Sequence, residues 1–362
     1  MTLVRILVRG CLGAALGLSL ATPRARAAEG AVATGNTSKD GIALSNSYAG
    51  NTWRQQMLKT WNAASAEAIG HKLISKTAVV NSNNSAPQQE SQIENMILQG
   101  WQGIVIDAAS PTALNGVIKE SCSANIKVVV FDSLATAPCA YKVAYNYVSM
   151  GAMEVDYVAK RLDGKGNLLE IRGIAGTSVD DDIHKGILDE MKKYPGLKLV
   201  GSVHGNWTQS IAQKEVAGIL PTLPDVNAVV TQGGDGYGTY EAFEAAGRKT
   251  PLIIFGNRED ELSLWKRLSQ QPGGYDTISV SSAPGCASIA FWEAQQILAG
   301  KKVPNEITVP LLEITSADLD SWLKATPSGG VATPVYTQQW TAELIDANAG
   351  HKSPPPSPAP GA

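Results

Sequence analysis

From Lys39 onward the chain alternates short β-branched, apolar runs with longer amphipathic segments. Strands separated by helix-length segments cannot close as tight hairpins. They pair in parallel, and the helices cover the sheet faces. The expected first series has strands at 41–44, 72–80, 103–106 and 128–131, with helices at 52–69, 88–99 and 111–121. A second series begins after Tyr145-Asn146. Its strands are expected at 166–171, 198–203, 228–231, 252–255 and 276–280, and its helices at 149–162, 178–193, 208–220, 236–246 and 259–269. A helix at 284–298 and a strand at 306–309 follow, and residues past 330 carry little pattern. Ile93, Met96 and Ile97 have the spacing of a buried helical stripe. Gly70 and Gly100 stand where C-terminal caps belong, and Pro111 stands at a helix's first turn. The chain therefore reads as two α/β units of similar size.

The two ends differ from this body. Arg5 and Arg9 precede an apolar run from Cys11 to Ala21, and Ala25-Arg26-Ala27 fits a small-x-small cleavage site. Residues 1–27 read as a secretory signal peptide, so the expected location is periplasmic, after export. They hold four arginines and no acid, so their removal takes the formal charge from −3 to −7. That balance gives no basic footprint for nucleic acid. Residues 28–38 are small and polar, a lead-in. Residues 346–362 include a Pro/Ser/Ala-rich run and are expected to be a disordered tail. An exported chain can hold a disulfide, and Cys122 and Cys139 are the candidates. Spacing alone does not establish the bond. Cys286 reads as a small buried residue.

The turn after the first strand, Ser45-Asn46-Ser47-Tyr48-Ala49-Gly50-Asn51-Thr52-Trp53-Arg54, gathers amides, an indole and a guanidinium. Ligands of open α/β sheets bind beyond the carboxyl ends of strands, where this turn lies. Asp107 and Asp132 end two neighbouring strands on the same side. Asp235, Asn257 and Ser282 end strands of the second unit. Enzyme signatures are missing: Gly173 to Gly176 does not form G-x-G-x-x-G, and there is no P-loop or G-x-S-x-G elbow. The four histidines are scattered. No cofactor, metal or catalytic residue is expected.

In order and spacing, these residues resemble the periplasmic sugar-binding proteins of bacterial ABC importers, the ribose/galactose type. The likeness covers roughly residues 39–309. It rests on the turn into Trp53-Arg54 and on Ile126-Lys127-Val128-Val129-Val130-Phe131-Asp132, like the family's apolar strand ending in Asp. It rests also on Gly173-Ile174-Ala175-Gly176-Thr177-Ser178, on Leu223-Pro224-Asp225-Val226-Asn227-Ala228-Val229-Val230, and on Gln232-Gly233-Gly234-Asp235.

The resemblance implies two Rossmann-like lobes with parallel sheets, the type I periplasmic-binding-protein fold, joined by a three-strand hinge. The lobes would be 39–145 plus 283–310 and 146–282 plus 311–345, with crossovers near Tyr145-Asn146, Ser282-Ala283 and Pro310. It implies that a monomer binds a sugar or polyol between the lobes and delivers it to a membrane ABC permease. The alternative is a ligand-loaded sensor component for a chemotaxis or signalling receptor. A related transcriptional repressor would need an N-terminal helix-turn-helix.

Trp53 and Trp207 align with the family's stacking aromatics. Sugar C–H faces stack on such rings, and hydroxyls want charged or amide partners. The implied ligand set is Asn46, Trp53, Arg54, Asp107, Asp132, Asn146, Asp181, Trp207, Asp235, Asn257 and Ser282. Rival readings stay open: Asn46 or Asn51 as a helix cap, Asp235 as the N-cap of the next helix, and Arg54 paired with Asp132. The run Asp180-Asp181-Asp182 suits a helix N-terminus with no further purpose. Ribose-type relatives carry Arg at the position of Ile183, so ribose itself is not implied.

Overall fold

The structure, a computed structural model, describes residues 31–360. The expected signal peptide, 1–27, lies outside the described residues. The first unit runs β1 (Gly41–Asn46), α1 (Thr52–Gly70), β2 (Lys76–Asn81), α2 (Ala86–Leu98), β3 (Gly103–Asp107), α3 (Asn115–Ser123), β4 (Lys127–Phe131) and β5 (Tyr141–Tyr145). The second runs α4 (Tyr147–Arg161), β6 (Lys165–Arg172), α5 (Ser178–Met191), β7 (Gly196–His204), α6 (Gln209–Ile219), β8 (Ala228–Val230), α7 (Gly236–Ala245), β9 (Leu252–Ile253), α8 (Glu259–Ser269) and β10 (Ser279–Ser281). Then come α9 (Cys286–Leu298), β11 (Glu306–Val309), β12 (Leu312–Ile314), α10 (Leu319–Ala325) and α11 (Gln338–Ala349).

One sheet has the order β11-β5-β4-β3-β1-β2, and all its pairs are parallel. The other has the order β7-β6-β8-β9, again parallel. β10 pairs antiparallel with β12 and touches the second sheet through a parallel bridge from Phe255 to Ser279. Burial explains the strand positions. Every residue of β1 is buried, as a central strand covered on both faces requires. β2, at the edge, is only half-buried and starts on exposed Lys76.

The helices start where side chains accept a backbone N–H. Asn51, Ser85, Asn146, Thr177 and Thr337 each cap the amide three residues on. Such a cap stabilises a helix by about 1 kcal/mol. After α2, Gly100 turns left-handed at φ +70°, and its N–H donates to Ile97 O at 3.0 Å. α9 is buried along nearly its whole length, packed on β3 and β4 with α1 and α11 beside it. The Phe291 ring meets Trp61 edge-on at 5.2 Å.

Several elements differ from expectation. β5 was unexpected, because Tyr141-Lys142 opens it with half-buried polar positions. α3 begins at Asn115; residues 111–114 form a turn before it. Past residue 310, β12, α10 and α11 are all regular structure. α11 carries a buried stripe of Trp340, Thr341, Leu344 and Ile345, which Gln, Glu and Asp neighbours dilute in the sequence.

Its placement splits the segment 311–345, expected wholly in the second lobe. β12 and α10 pack on β10 and α8, whereas α11 packs on α9 and β11 of the first. Thr308 N donates to Asn348 Oδ1 at 3.0 Å, and Lys301 pairs with Asp346 at 2.7 Å. The chain therefore passes between the units after β5, after β10, after β11, and once more between α10 and α11. The tail is also corrected: 346–349 are the last turn of α11, and Pro356 O accepts the Trp340 indole N–H at 3.0 Å. Cys122, near the end of α3, is bonded to Cys139 in the loop before β5, with Cα atoms 6.4 Å apart. Cys286 is free and buried.

Candidate functional site

The opening turn sits at the carboxyl end of β1, with the ends of β3 and β4 beside it. Asn51 caps α1 by accepting from Arg54 N at 2.8 Å. That start fixes Trp53 and Arg54 on the first helical turn. The Trp53 indole N–H donates to Ser282 O at 3.1 Å. A cation in a helix's first turn opposes the helix dipole. Here two carboxylates offset it: Arg54 pairs with Asp107 at the end of β3, and with Asp132 at 3.3 Å at the end of β4. The guanidinium also lies 5.2 Å from the Trp53 ring centre. Asp132 takes a left-handed conformation, φ 55°, and accepts the Tyr147 hydroxyl. Burial, and then the Asp132 charge, push the Tyr147 hydroxyl well above its usual range, so it stays a donor.

The facing wall comes from the second unit. Asn206 and Trp207 are consecutive left-handed residues, at φ 55° and 52°. That kink lays the Trp207 indole against Gly173, where an added Cβ would come 2.0 Å from the ring. Only glycine lets the ring seat there. The indole N–H donates to Gln232 O at 3.3 Å, and the Gln232 side chain accepts from Gly173 N at 2.9 Å. Arg258, 4% exposed, donates to Trp207 O at 2.8 Å.

Between these walls lies a cavity that opens to solvent. Five expected residues line it together: Trp53, Arg54, Asp132, Trp207 and Ser282. The other six do not line it. Asn46 is fully buried, donating to Tyr48 O and Asn81 Oδ1, so it shapes the turn from behind. Asp107 is fully buried beneath Arg54. Asn146 is exposed and caps α4. Asp181 is exposed, 3.5 Å from Arg172, whereas Asp180 turns inward onto the same arginine at 2.6 Å.

Asp235 is a correction to both readings of it. It occupies the N-cap position of α7 at φ 75° but makes no side-chain cap bond. Its carboxyl is buried beneath the Trp207 loop, 2.4 Å from where a Cβ on Gly205 would stand. Burial raises its pKa to about 7, against the pull of Arg258. Asn257 is fully buried and donates to Ala332 O at 2.9 Å.

The sequence reading missed Tyr147, Met150, Val179, Gln232 and Arg258 as lining residues. Arg258 follows directly on the strand-end residue Asn257, so its position was available. Met150 and Val179 had no signal beyond helix periodicity.

The arrangement offers two indoles, apolar Met150 and Val179, and fixed polar groups at the end of each sheet. The model of the periplasmic binding protein domain matches residues 42–302. The chain belongs to the periplasmic binding protein family. Proteins of this family are substrate-binding proteins and not enzymes. A solved ABC transporter solute binding protein from Thermobispora bispora is 35% identical, covers 89% of this chain and 99% of its own, and superposes with a TM-score of 0.84. A xylitol-binding protein of Mycolicibacterium smegmatis is 27% identical over 66% of this chain and 68% of its own length. A ribose import binding protein of Haemophilus influenzae is 23% identical over 79% of this chain and 94% of its own. Among the described residues no helix is long and apolar enough to cross a membrane.

Proposed function

We propose that this periplasmic binding protein clamps an uncharged sugar or polyol between its lobes and hands it to an ABC import permease. One observation carries the reading: Trp53 and Trp207, from opposite units, line one cavity together with the Arg54–Asp132 pair. Two indoles suit the C–H faces of a small ring or polyol chain. Asp132 and Arg54 supply charged partners for its hydroxyls, each such bond contributing about 1.5–3 kcal/mol. Two carboxylates already face the single charge of Arg54, which favours a neutral ligand over an acidic sugar.

The bound names of the relatives, xylitol and ribose, fall in the same class. Ile183 is fully buried in α5, within the second unit, and places no hydrogen-bonding side chain in the cavity. Both walls come from one chain, so the proposed working state is a monomer, exported to the periplasm. Binding would add to a closed pair of lobes that the free protein already populates, the form a permease can recognise.

Calorimetry against pentoses, hexoses and polyols, with xylitol and D-ribose included, tests the reading. Saturable heat with a change in tryptophan emission is expected for at least one compound. No heat from any of them would sink the proposal.

A further inference from the structure

Arg258 does more than line the cavity. It stands at the connection from β9 to α8, in the second unit. Its Nε donates to Thr52 Oγ1 at 2.9 Å, on the first turn of α1 in the first unit. Its Nη2 donates to Trp207 O at 2.8 Å. One planar guanidinium thus ties the loop of the second wall to the helix that carries the first. A rigid fork can serve two acceptors in fixed directions at once; a lysine ammonium has no such geometry.

The surroundings hold this fork in place. Nη1 lies over Gly234, where an added Cβ would be 2.2 Å away. The fully buried Glu261 carboxylate is 3.7 Å from Nη1 and is itself fixed by Gly236 N at 2.7 Å. The backbone is fixed too. Arg258 bridges antiparallel to Val331, and Ala332 N donates to Asn257 O at 2.8 Å. Residues 331 and 332 belong to the passage between α10 and α11 that returns the chain to the first unit. Arg258 is therefore anchored on a crossing segment while its side chain spans the cleft.

We propose that Arg258 is a positioning residue that seats Trp207 and, through the same guanidinium, locks the seated wall to α1 at Thr52, so that the cleft closes on a wall already formed. The inference rests on the two-lobed clamp, not on which ligand the clamp holds. Gly234 belongs to the same device, because any side chain there would displace the fork.

Small-angle scattering of the unliganded protein tests it, with Thr52→Val, Arg258→Gln, Arg258→Lys and the Thr52→Val/Arg258→Gln double variant. Thr52 is exposed, so removing its hydroxyl leaves the core untouched. Thr52→Val and Arg258→Gln should each increase the radius of gyration, and the double variant should expand no further than the larger single. Arg258→Lys should behave like Arg258→Gln. Arg258→Gln should also red-shift tryptophan emission, while Thr52→Val leaves the Trp207 loop seated. An unchanged radius in Thr52→Val, or additive expansion in the double variant, overturns the proposal. If Arg258→Gln does not fold, Thr52→Val and Arg258→Lys decide. A protein that takes up none of the sugars yet expands in Thr52→Val would refute the sugar reading and leave this role of Arg258 standing.

Discussion

The indole N–H of Trp53 donates to the carbonyl of Ser282 at 3.1 Å, joining α1 to the segment where the chain passes from β10 to α9. The ring is therefore held edge-on by a crossing segment while its face stays in the cleft. Trp53→Phe keeps an aromatic face and loses this bond. A neutral hydrogen bond contributes about 1 kcal/mol to stability, so loosening the ring's anchor should lower ligand affinity by at most roughly five-fold. Trp53→Ala removes the face as well and should cost distinctly more. Calorimetry with the best compound of the sugar panel checks both. Equal losses for Phe and Ala would mean that stacking contributes nothing.

Asp107 and Asp132 share Arg54 but differ in what they face. Asp107 is fully buried and outside the cavity, whereas Asp132 lines it. Asp107→Asn removes one counter-charge from a nearly buried guanidinium. Breaking a buried pair typically destabilises by about 3–5 kcal/mol, and the thermal midpoint should drop accordingly. Asp132→Asn should lower ligand affinity by ten-fold or more with a smaller loss of stability. Thermal melts beside calorimetry separate the two effects. A stable Asp107→Asn would show that Asp132 alone balances Arg54.

How much of this could be read from the sequence differs by residue, for physical reasons. The alternating pattern placed most strands and helices, since period and burial are written in the same residues. Trp53, Arg54, Asp132, Trp207 and Ser282 were identified because strand ends and their following turns are local features. Asp107 and Asp235 misled because a carboxylate at a strand end can point outward or inward, and the residues packed around it, more than its own backbone conformation, decide which. Both Asp132 and Asp235 are left-handed, at φ 55° and 75°, yet only Asp132 reaches the cleft. Arg258 was missed because its value lies in Thr52, 206 positions away in the chain. α11 was missed because its apolar stripe is short and its partner, α9, is reached only through the last crossing.

The Cys122–Cys139 bond closes a loop of sequence separation 17 that encloses β4 and Asp132, although neither cysteine lines the cavity. A loop of that size stabilises by about 3 kcal/mol on chain-entropy grounds. The Cys122→Ala/Cys139→Ala variant should lose roughly that much in denaturant melts while ligand affinity stays within two-fold. A large loss of affinity would mean that the bond is needed to hold Asp132 in the cavity.

Glu293 lies in α9 with both carboxylate oxygens buried and without a hydrogen-bond partner. Burial alone raises its pKa from 4.5 to about 8. Between those values the folded protein holds a proton that the unfolded chain releases. Stability must therefore fall as pH rises through this window. Below it ionisation adds no cost; above it the full penalty applies, on the order of several kcal/mol. Glu154, raised to about 8, and Asp235, raised to about 7, act in the same direction. Glu293→Gln removes one of the three titrations and keeps a neutral side chain of nearly the same shape. Thermal midpoints measured from pH 5 to pH 9 should fall steeply for the natural protein and less steeply for Glu293→Gln. The two curves should lie closest at pH 5 and furthest apart at pH 9. Parallel curves would show that Glu293 finds a partner or water that keeps it charged.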